Sequence, residues 1–445
     1  MSNKAVSITE VIDGGRVSAQ QIIIVVLCLI FNMVDGFDIT AMAVTVHQIG
    51  EEMQLGADRL GLVFSFSLAG MMLGAMFLAG FSDVIGRRSM IIITLVLVGS
   101  TVLMTAYVNS LYMLIAVRFA SGLGAGAMLA SVATLAAEYS PEKYRALSVT
   151  AVTAGYPLGA VMTGFVATAI IPDFGWRGVF VFGGSVTLLL AITAFMLIPE
   201  SLQFLCRKQP KGALETVNKI MAKLSREPLP ELPGVAPDDS NTGADTQNIL
   251  QKMLSLLTPG FRRKTLLLWC AFFLYISTLY VLMSWVPKMI INLGYEPEVG
   301  NLAFSMFNFG GFLGIISLGY MASRWMLSTL ITIFAVIATL LMWFFAAAAS
   351  MDASQVVLMV LIFVIGFTLQ GGYTGMYAVA AKIYPIEIRS TGVGWAIGLG
   401  RFGAVIGPAV AGFMIASGLS VTFNFVVFAI PMLLGGVLAY LLRVR

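Results

Sequence analysis

The chain is short of charge. Only 11% of its 445 residues are Asp, Glu, Lys or Arg, where a soluble domain carries about 25%. Set against 59% hydrophobic residues and a mean hydropathy of +0.93, this excludes an ordinary soluble protein. No core of this length hides so much apolar surface, so the solvent for most of it is a bilayer. Histidine is nearly absent. The single His47 closes the first apolar run and reads as an interfacial residue, with a proton-relay role as the alternative. One histidine argues against a membrane enzyme, which would want clustered His or a nucleophile with its base. The three cysteines, Cys28, Cys206 and Cys270, form no spaced framework, so neither disulfides nor a metal site is expected. No cofactor is implied. A formal net charge of +4 gives no suggestion of nucleic acid. The first apolar segment is too long for a signal h-region and lacks a small-x-small cleavage site, so no cleavable signal is expected.

Long apolar runs and small residues are what the chain has, with 45 Gly and 26 Met. A spanning helix takes about 20 apolar residues. Twelve segments qualify: 22–47, 60–81, 89–108, 112–138, 147–170, 179–198, 265–291, 300–322, 326–348, 355–382, 391–416 and 420–442. With the N-terminus inside, the cytoplasmic side collects Lys4, Arg16, Arg87, Arg88, Lys143, Arg145, the basic residues of 199–264, Arg324, Lys382, Arg389, Arg443 and Arg445. The outside keeps Arg59, Arg177 and Lys288 among acids such as Glu51, Glu52, Asp58 and Asp173. This bias predicts a multi-pass protein of the cell membrane with both termini cytoplasmic.

Residues 199–264 separate the sixth and seventh segments. They contain "REPLPELPGVAPDDSNTGADT", a Pro-rich acidic stretch that reads as disordered. "GALETVNKIMAKL" and "QNILQKMLSLL" have the apolar spacing of amphipathic helices on the membrane surface. The expected organisation is an N-terminal six-helix bundle at 1–198, a partly disordered cytoplasmic linker at 199–264, and a C-terminal six-helix bundle at 265–445. The halves also repeat. "YSPEKYRA" is followed by Gly155, Gly159, Gly164 and Phe165; "YPIEIRST" is followed by Gly403, Gly407, Gly412 and Phe413 at the same spacing. Self-similarity of this kind marks a duplicated bundle.

Specific motifs sharpen this picture. The loop after the second segment reads Gly80-Phe-Ser-Asp83-Val-Ile-Gly86-Arg87-Arg88, and the fourth segment opens with Arg118-Phe-Ala-Ser-Gly122-Leu-Gly124-Ala-Gly126. These resemble the loop motif G-x-L-A-D-R-x-G-R-R and the R-x-x-x-G-x-G-x-G motif of the major facilitator superfamily of secondary transporters. Ala79 and Val84 depart from the loop pattern, and in the second half it decays to "GYMASRW", with Ser323 in the Asp position. "DGFD", Asp35 to Asp38, resembles the D-G-x-D of the aromatic acid/proton symporters within that superfamily. The resemblance covers nearly the whole chain. It implies an all-α membrane protein of twelve helices in two pseudo-symmetric six-helix bundles, carrying small aromatic carboxylates.

Asp35 and Asp38 stand at i and i+3, on one helical face. Intramembrane carboxylates face a cavity or a partner, and both burial and a neighbouring carboxylate disfavour the charged form. They are the candidate proton site. Arg118 lies at a depth similar to Asp38 and needs an anion, so protonation of an Asp would release it. That match favours Asp38 as the coupling residue. Arg401 lies about 15 Å up the eleventh segment with no acid in its own span, where a substrate carboxylate can serve as its counter-ion. Tyr275, Tyr280, Trp285, Asn308, Gln370, Tyr373, Tyr377 and Trp395 gather at mid-depth and suit a small aromatic acid, packing being the alternative for each. Asp83, Gly86, Arg87, Arg88, Glu138 and Arg145 form an expected cytoplasmic gate that latches the second, fourth and eleventh segments; topology alone also explains its arginines.

The reading is a proton-coupled importer of a small aromatic carboxylate, working as a monomer by rocking two halves around a midplane site. The alternative is a proton-driven antiporter that exports drugs or organic anions. Such antiporters favour a G-P pair in the fifth segment; here Pro157 precedes Gly159, and Gly407-Pro408 lies in the eleventh.

Overall fold

The computed structural model describes residues 12–13, 17–232, 256–322 and 324–442. Helix α1, Ala19–Glu52, starts at a capping box: Ser18 Oγ accepts from the Gln21 amide and Gln21 Oε1 from the Ser18 amide. Helix α2, Ala57–Leu73, runs into a π turn at Gly74–Leu78, a 3-10 turn at Ala79–Phe81 and a short α3, Ser82–Ile85. Gly86, at φ 98°, makes the turn into α4, Arg87–Thr105, in a region a side chain would disfavour. Then come α5, Leu111–Tyr139, and α6, Glu142–Leu197. The linker carries α7, Leu202–Lys208, and α8, Ala213–Lys223. The second half is α9, Arg262–Asn292; α10, Pro297–Met321; α11, Leu327–Ser350; α12, Gln355–Ile383; α13, Ile386–Ala416; and α14, Val421–Leu441.

Eleven described helices are long and apolar enough to cross a membrane, against twelve expected segments. The difference lies in α6. Its 56 residues hold two of those segments, joined at Gly175, whose φ of 64° and ψ of −174° break the helix. Pro172, three residues earlier, lacks the amide that a continuous helix would use there. The bend turns one long helix into two crossings.

Helix pairing repeats between the halves. Within the first, α1 packs on α6, α2 on α5, and α4 on α5 and α6; within the second, α9 packs on α13, α10 on α12, and α11 on α12 and α14. The halves meet through α2 against α13 and α6 against α10, with α1 touching α9. The glycine repeat makes these approaches possible. A Cβ on Gly155 or Gly159 would run into α1 backbone at Leu29 and Met33, and one on Gly403 or Gly407 into α9 backbone at Phe273 and Ser277. The third glycine of each set faces the other half: Gly164 meets Asn301 and Ser305 of α10, and Gly412 meets Ala57 and Gly61 of α2. Small residues let backbones approach where lipid offers no hydrophobic drive.

The linker departs from expectation. The "GALETVNKIMAKL" stretch is helical as α8, but its apolar face does not lie free on a membrane surface. Val217, Ile220 and Met221 are buried in a cluster with Ile24, Leu135, Tyr139 and Leu205, so the helix docks on the first bundle. Asn218 fixes the chain beyond it by exchanging hydrogen bonds with the backbone of Leu229. The acidic stretch from 233, "QNILQKMLSLL" through 255, Ser323, Lys4, Arg16, Arg443 and Arg445 lie outside the described residues.

Candidate functional site

The end of the molecule that carries the linker helices α7 and α8 is its basic face, and the other its acidic face, after their charges. Asp35 and Asp38 are both fully buried on α1. Arg118 of α5 is buried with them: its Nη1 donates to Asp38 Oδ1 at 2.7 Å and its Nη2 to the Asp38 carbonyl at 2.9 Å. Ser121, one turn along α5, donates to Asp38 Oδ2. The Phe180 ring, 5.7 Å from the guanidinium carbon, shields the pair. Of the two expected partners for Arg118, the structure selects Asp38. Asp35 sits one turn toward the basic face, and among the described residues neither of its carboxyl oxygens has a hydrogen-bond partner. Gly36 lies flat against the Tyr156 carbonyl, which brings α6 tight against this turn. Asn32, three residues before Asp35, donates to the Val152 carbonyl at 2.7 Å.

Below this turn, toward the basic face, is a cavity of about 340 Å³ between the halves. That is within the range of small-molecule sites, about 300–1,000 Å³. Asn32, Tyr156 and Pro157 line one wall; Tyr280, Gln370, Tyr373, Tyr377 and Arg401 line the other. Tyr373 and Tyr377 are hydrogen-bonded through their hydroxyls, with ring centroids 5.2 Å apart. Arg401 donates from Nη1 to the Met71 carbonyl of α2 at 3.3 Å. A basic, aromatic and hydroxyl-rich pocket thus adjoins a buried carboxyl that has no donor.

Four of the residues expected here do not line this cavity. Trp285 is spent on closing the acidic face: its Nε1 donates to the Pro408 carbonyl at 3.0 Å and its ring stands edge-on to Phe64 of α2 at 5.4 Å. Tyr275 is fully buried with its hydroxyl against Gly372 of α12. Asn308 stands behind the wall, donating to the Phe304 carbonyl at 3.0 Å and accepting from Gln370 Nε2 at 3.4 Å. Trp395 turns outward, 6.3 Å from the Trp269 ring. Conversely, Asn32, Ser121 and Tyr156 belong to the site and were not singled out in the sequence. Asn32 and Ser121 were within reach, being one turn from Asp35 and Arg118 on the same faces.

At the basic face, Asp83 and Arg87 pair at 2.7 Å across the Gly86 turn, and Arg87 Nε lies 3.3 Å from Glu138 Oε1. Glu200, unforeseen in the sequence, completes the cluster. Its Oε1 accepts from the Arg88 amide at 3.0 Å and the Ser201 amide at 2.8 Å, at the positive N-terminal end of α4. Its carbonyl accepts from Tyr139 Oη at 2.6 Å. Arg88 donates to the Phe195 carbonyl at 2.6 Å. Arg145 departs from expectation: it lies 3.9 Å from Asp13, which also accepts from the Glu142 amide, so it ties down the N-terminal segment rather than the acid cluster. The described contacts of Asp83, Arg87, Arg88 and Glu138 join α3 to α6; the Glu387 and Arg389 side chains of α13 lie outside the described residues.

The acidic face is closed. Gly164 and Gly412 clasp the opposite half there, and the pocket between Thr40, Ser67, Tyr280 and Ser284 holds only about 20 Å³. His47 stands at this end, 3.3 Å from Glu51 Oε1.

Comparison with known proteins agrees with this architecture. The model of the Major Facilitator Superfamily matches residues 27–358 and 268–445. Among similar proteins is a 4-hydroxybenzoate transporter, PcaK, of Pseudomonas putida, 30% identical over 91% of this chain and 88% of that protein. A benzoate transport protein of Acinetobacter baylyi is 27% identical over 100% and 94%, and a gallate transporter of Pseudomonas putida 28% over 96% and 92%. Among solved structures, the inward-open xylose transporter XylE of Escherichia coli superposes with a TM-score of 0.72 over 94% of this chain and 95% of that one, at 15% identity, which shows a shared fold. Matching motifs, a repeated six-crossing pairing pattern and a family model spanning most of the sequence lead to one conclusion: the chain belongs to the major facilitator superfamily of membrane transporters.

Proposed function

We propose that the chain imports a small aromatic carboxylate together with protons across the cell membrane, with both termini in the cytoplasm. The observation that carries this reading is Asp35, a fully buried carboxyl without a donor, beside a cavity whose cation is Arg401. An unpaired charge at such a place is costly, so Asp35 is held as the neutral acid until the cavity wets or a cation approaches. Asp38 matched Arg118 best by depth, but the Asp38 carboxylate already has two donors, Arg118 Nη1 and Ser121 Oγ, and among the described residues the Asp35 carboxyl has none. The proposed coupling proton therefore moves to Asp35, with Asp38–Arg118 as the neighbouring pair. Arg401 offers a planar fork to a carboxylate, and Tyr280, Tyr373 and Tyr377 offer ring faces and hydroxyls to an aromatic body. The 4-hydroxybenzoate, benzoate and gallate transporters among its relatives support this substrate class. Residues 1–198 and 265–445 rock about the cavity, with 199–264 as the linker and the Asp83–Arg87–Glu138 cluster fastening the cytoplasmic end of the first half.

The test is binding of 4-hydroxybenzoate and of its uncharged amide to purified protein, followed by uptake of the acid into proteoliposomes with an imposed inward proton gradient. The acid should bind far more tightly than the amide, and uptake should follow the gradient. Equal affinity for acid and amide, or uptake indifferent to the gradient, contradicts the proposal.

A further inference from the structure

A second cavity ends on the same arginine. Between α2 and α13, on the basic-face side of Arg401, lies a cleft of about 570 Å³. Its α13 wall runs through Thr391, Gly394, Trp395, Gly398 and Arg401, residues three and four apart and so on one helical face. Ten residues of helix make it about 15 Å long. The floor is bare: a Cβ added at Gly394 or at Gly398 would meet no atom within 4 Å. The opposite wall comes from Ala75 and Met76, inside the π turn of α2, where the helix is locally widened. Among the described residues, and apart from the Trp395 indole N–H, the polar side chains on the cleft are Thr391 and Arg401, one at each end. Leu399 and Phe402 continue it into an apolar hollow of about 420 Å³ against Trp269 and Phe273 of α9. Arg401 also lines the central cavity.

Among the described residues, this is a long apolar groove with a single cation at its inner end. Charge complementarity calls for one anion at Arg401, and the groove calls for an unbranched apolar body. A phospholipid does not fit, because it brings two chains to one groove. We propose that the α2–α13 cleft binds a single-chain fatty carboxylate, its head on Arg401 and its chain along the Gly394–Gly398 floor. Occupancy withholds Arg401 from an anion in the central cavity, so the fatty acid inhibits. The inference rests on the reading of Arg401 as a carboxylate anchor.

Direct binding tests it. Purified protein in lipid nanodiscs is titrated with tritiated dodecanoate by scintillation proximity, with empty nanodiscs subtracted, and with benzoate in parallel. Binding of dodecanoate should saturate. Across octanoate, decanoate and dodecanoate, affinity should rise about three- to fourfold per CH₂ added within the groove, then level off for longer chains. Dodecanol should not compete. Gly398→Leu and Gly394→Leu each put a side chain on the floor, where a Cβ meets no atom within 4 Å, and should weaken dodecanoate about tenfold or more, while benzoate affinity stays within about twofold. Arg401→Ala should remove both ligands. Dodecanoate that fails to saturate, that binds both leucine variants as well as the wild type, or that dodecanol displaces equally, overturns the proposal. If dodecanoate behaves as expected and benzoate does not bind the wild type, the substrate reading fails and the cleft stands.

Discussion

A single methyl group placed at Gly164 tests whether the acidic face closes as described. In this structure a Cβ there would lie 2.6 Å from the Asn301 carbonyl oxygen and 3.3 Å from Ser305 Cβ of α10. Carbon and carbonyl oxygen ordinarily approach to about 3.3–3.6 Å, so α10 must retreat by about 0.7–1 Å. Overpacking of this kind costs about 1–3 kcal/mol. The cost falls on the state in which α6 and α10 touch, and is relieved when the halves part at this end. Gly164→Ala should therefore shift the equilibrium toward the outward-open state by about 5–150-fold. The reporter is Ser284→Cys in the small closed pocket at this face, in a Cys270→Ser background because Cys270 is the exposed cysteine. Its labelling by a membrane-impermeant maleimide from outside should accelerate by about that factor, limited by full exposure. Gly412→Ala, whose Cβ would lie 2.5 Å from the Ala57 carbonyl and 3.0 Å from Gly61 Cα, should act in the same direction. Unchanged labelling in both folded variants would refute the clasp.

Three other perturbations address the buried charges and the latch. Removing either partner of the Asp38–Arg118 pair, by Asp38→Leu or Arg118→Met, leaves an uncompensated group and should cost about 3–5 kcal/mol, while the double variant should recover much of it; denaturant unfolding in mixed micelles reads this, and additive single losses would contradict the pairing. Asp83→Asn removes the 2.7 Å contact with Arg87 and should cripple transport while substrate binding persists, so normal uptake in that variant would remove the latch from the account. Arg401→Lys keeps the charge and loses the planar fork; it should weaken aromatic acid binding by isothermal titration, and Arg401→Ala more so, with equal affinity in all three proteins as the contrary result.

Much of the fold was legible because a bilayer imposes simple rules. Apolar length located the crossings, and the glycine spacing of 155–164 and 403–412 marked the two helices that close-pack in equivalent ways. The twelve expected crossings stand, because α6 joins the fifth and sixth in one helix that bends at Gly175. Depth arithmetic was enough to bring Arg118 to the aspartates, since both helices run unbroken through that region. Depth favoured Asp38 as the proton site, but the assignment turns on Ser121 reaching the Asp38 carboxylate and on no described donor reaching Asp35, which sequence does not show. Nor could it sort the aromatic residues. Helical period gives a face, but whether that face meets a cavity, as at Tyr373, or a neighbouring backbone, as at Trp285, is set by tertiary contact. Arg145 and α8 share that difficulty, as their partners are Asp13 and the α5 end of the first bundle, far away in the chain.

The assignment of the proton to Asp35 is tested most directly by one paired measurement on Asp35→Asn. Asparagine reproduces the shape of the protonated acid and does not titrate. In proteoliposomes, uptake of labelled 4-hydroxybenzoate against its own gradient, driven by inward proton flow, is measured beside exchange of labelled for unlabelled substrate, which needs no net proton movement. The proton assignment requires that driven accumulation is lost while exchange survives, because the carrier can still rock with substrate aboard. If Asp35→Asn still accumulates substrate when protons flow inward, Asp35 is a structural residue and the proton travels elsewhere.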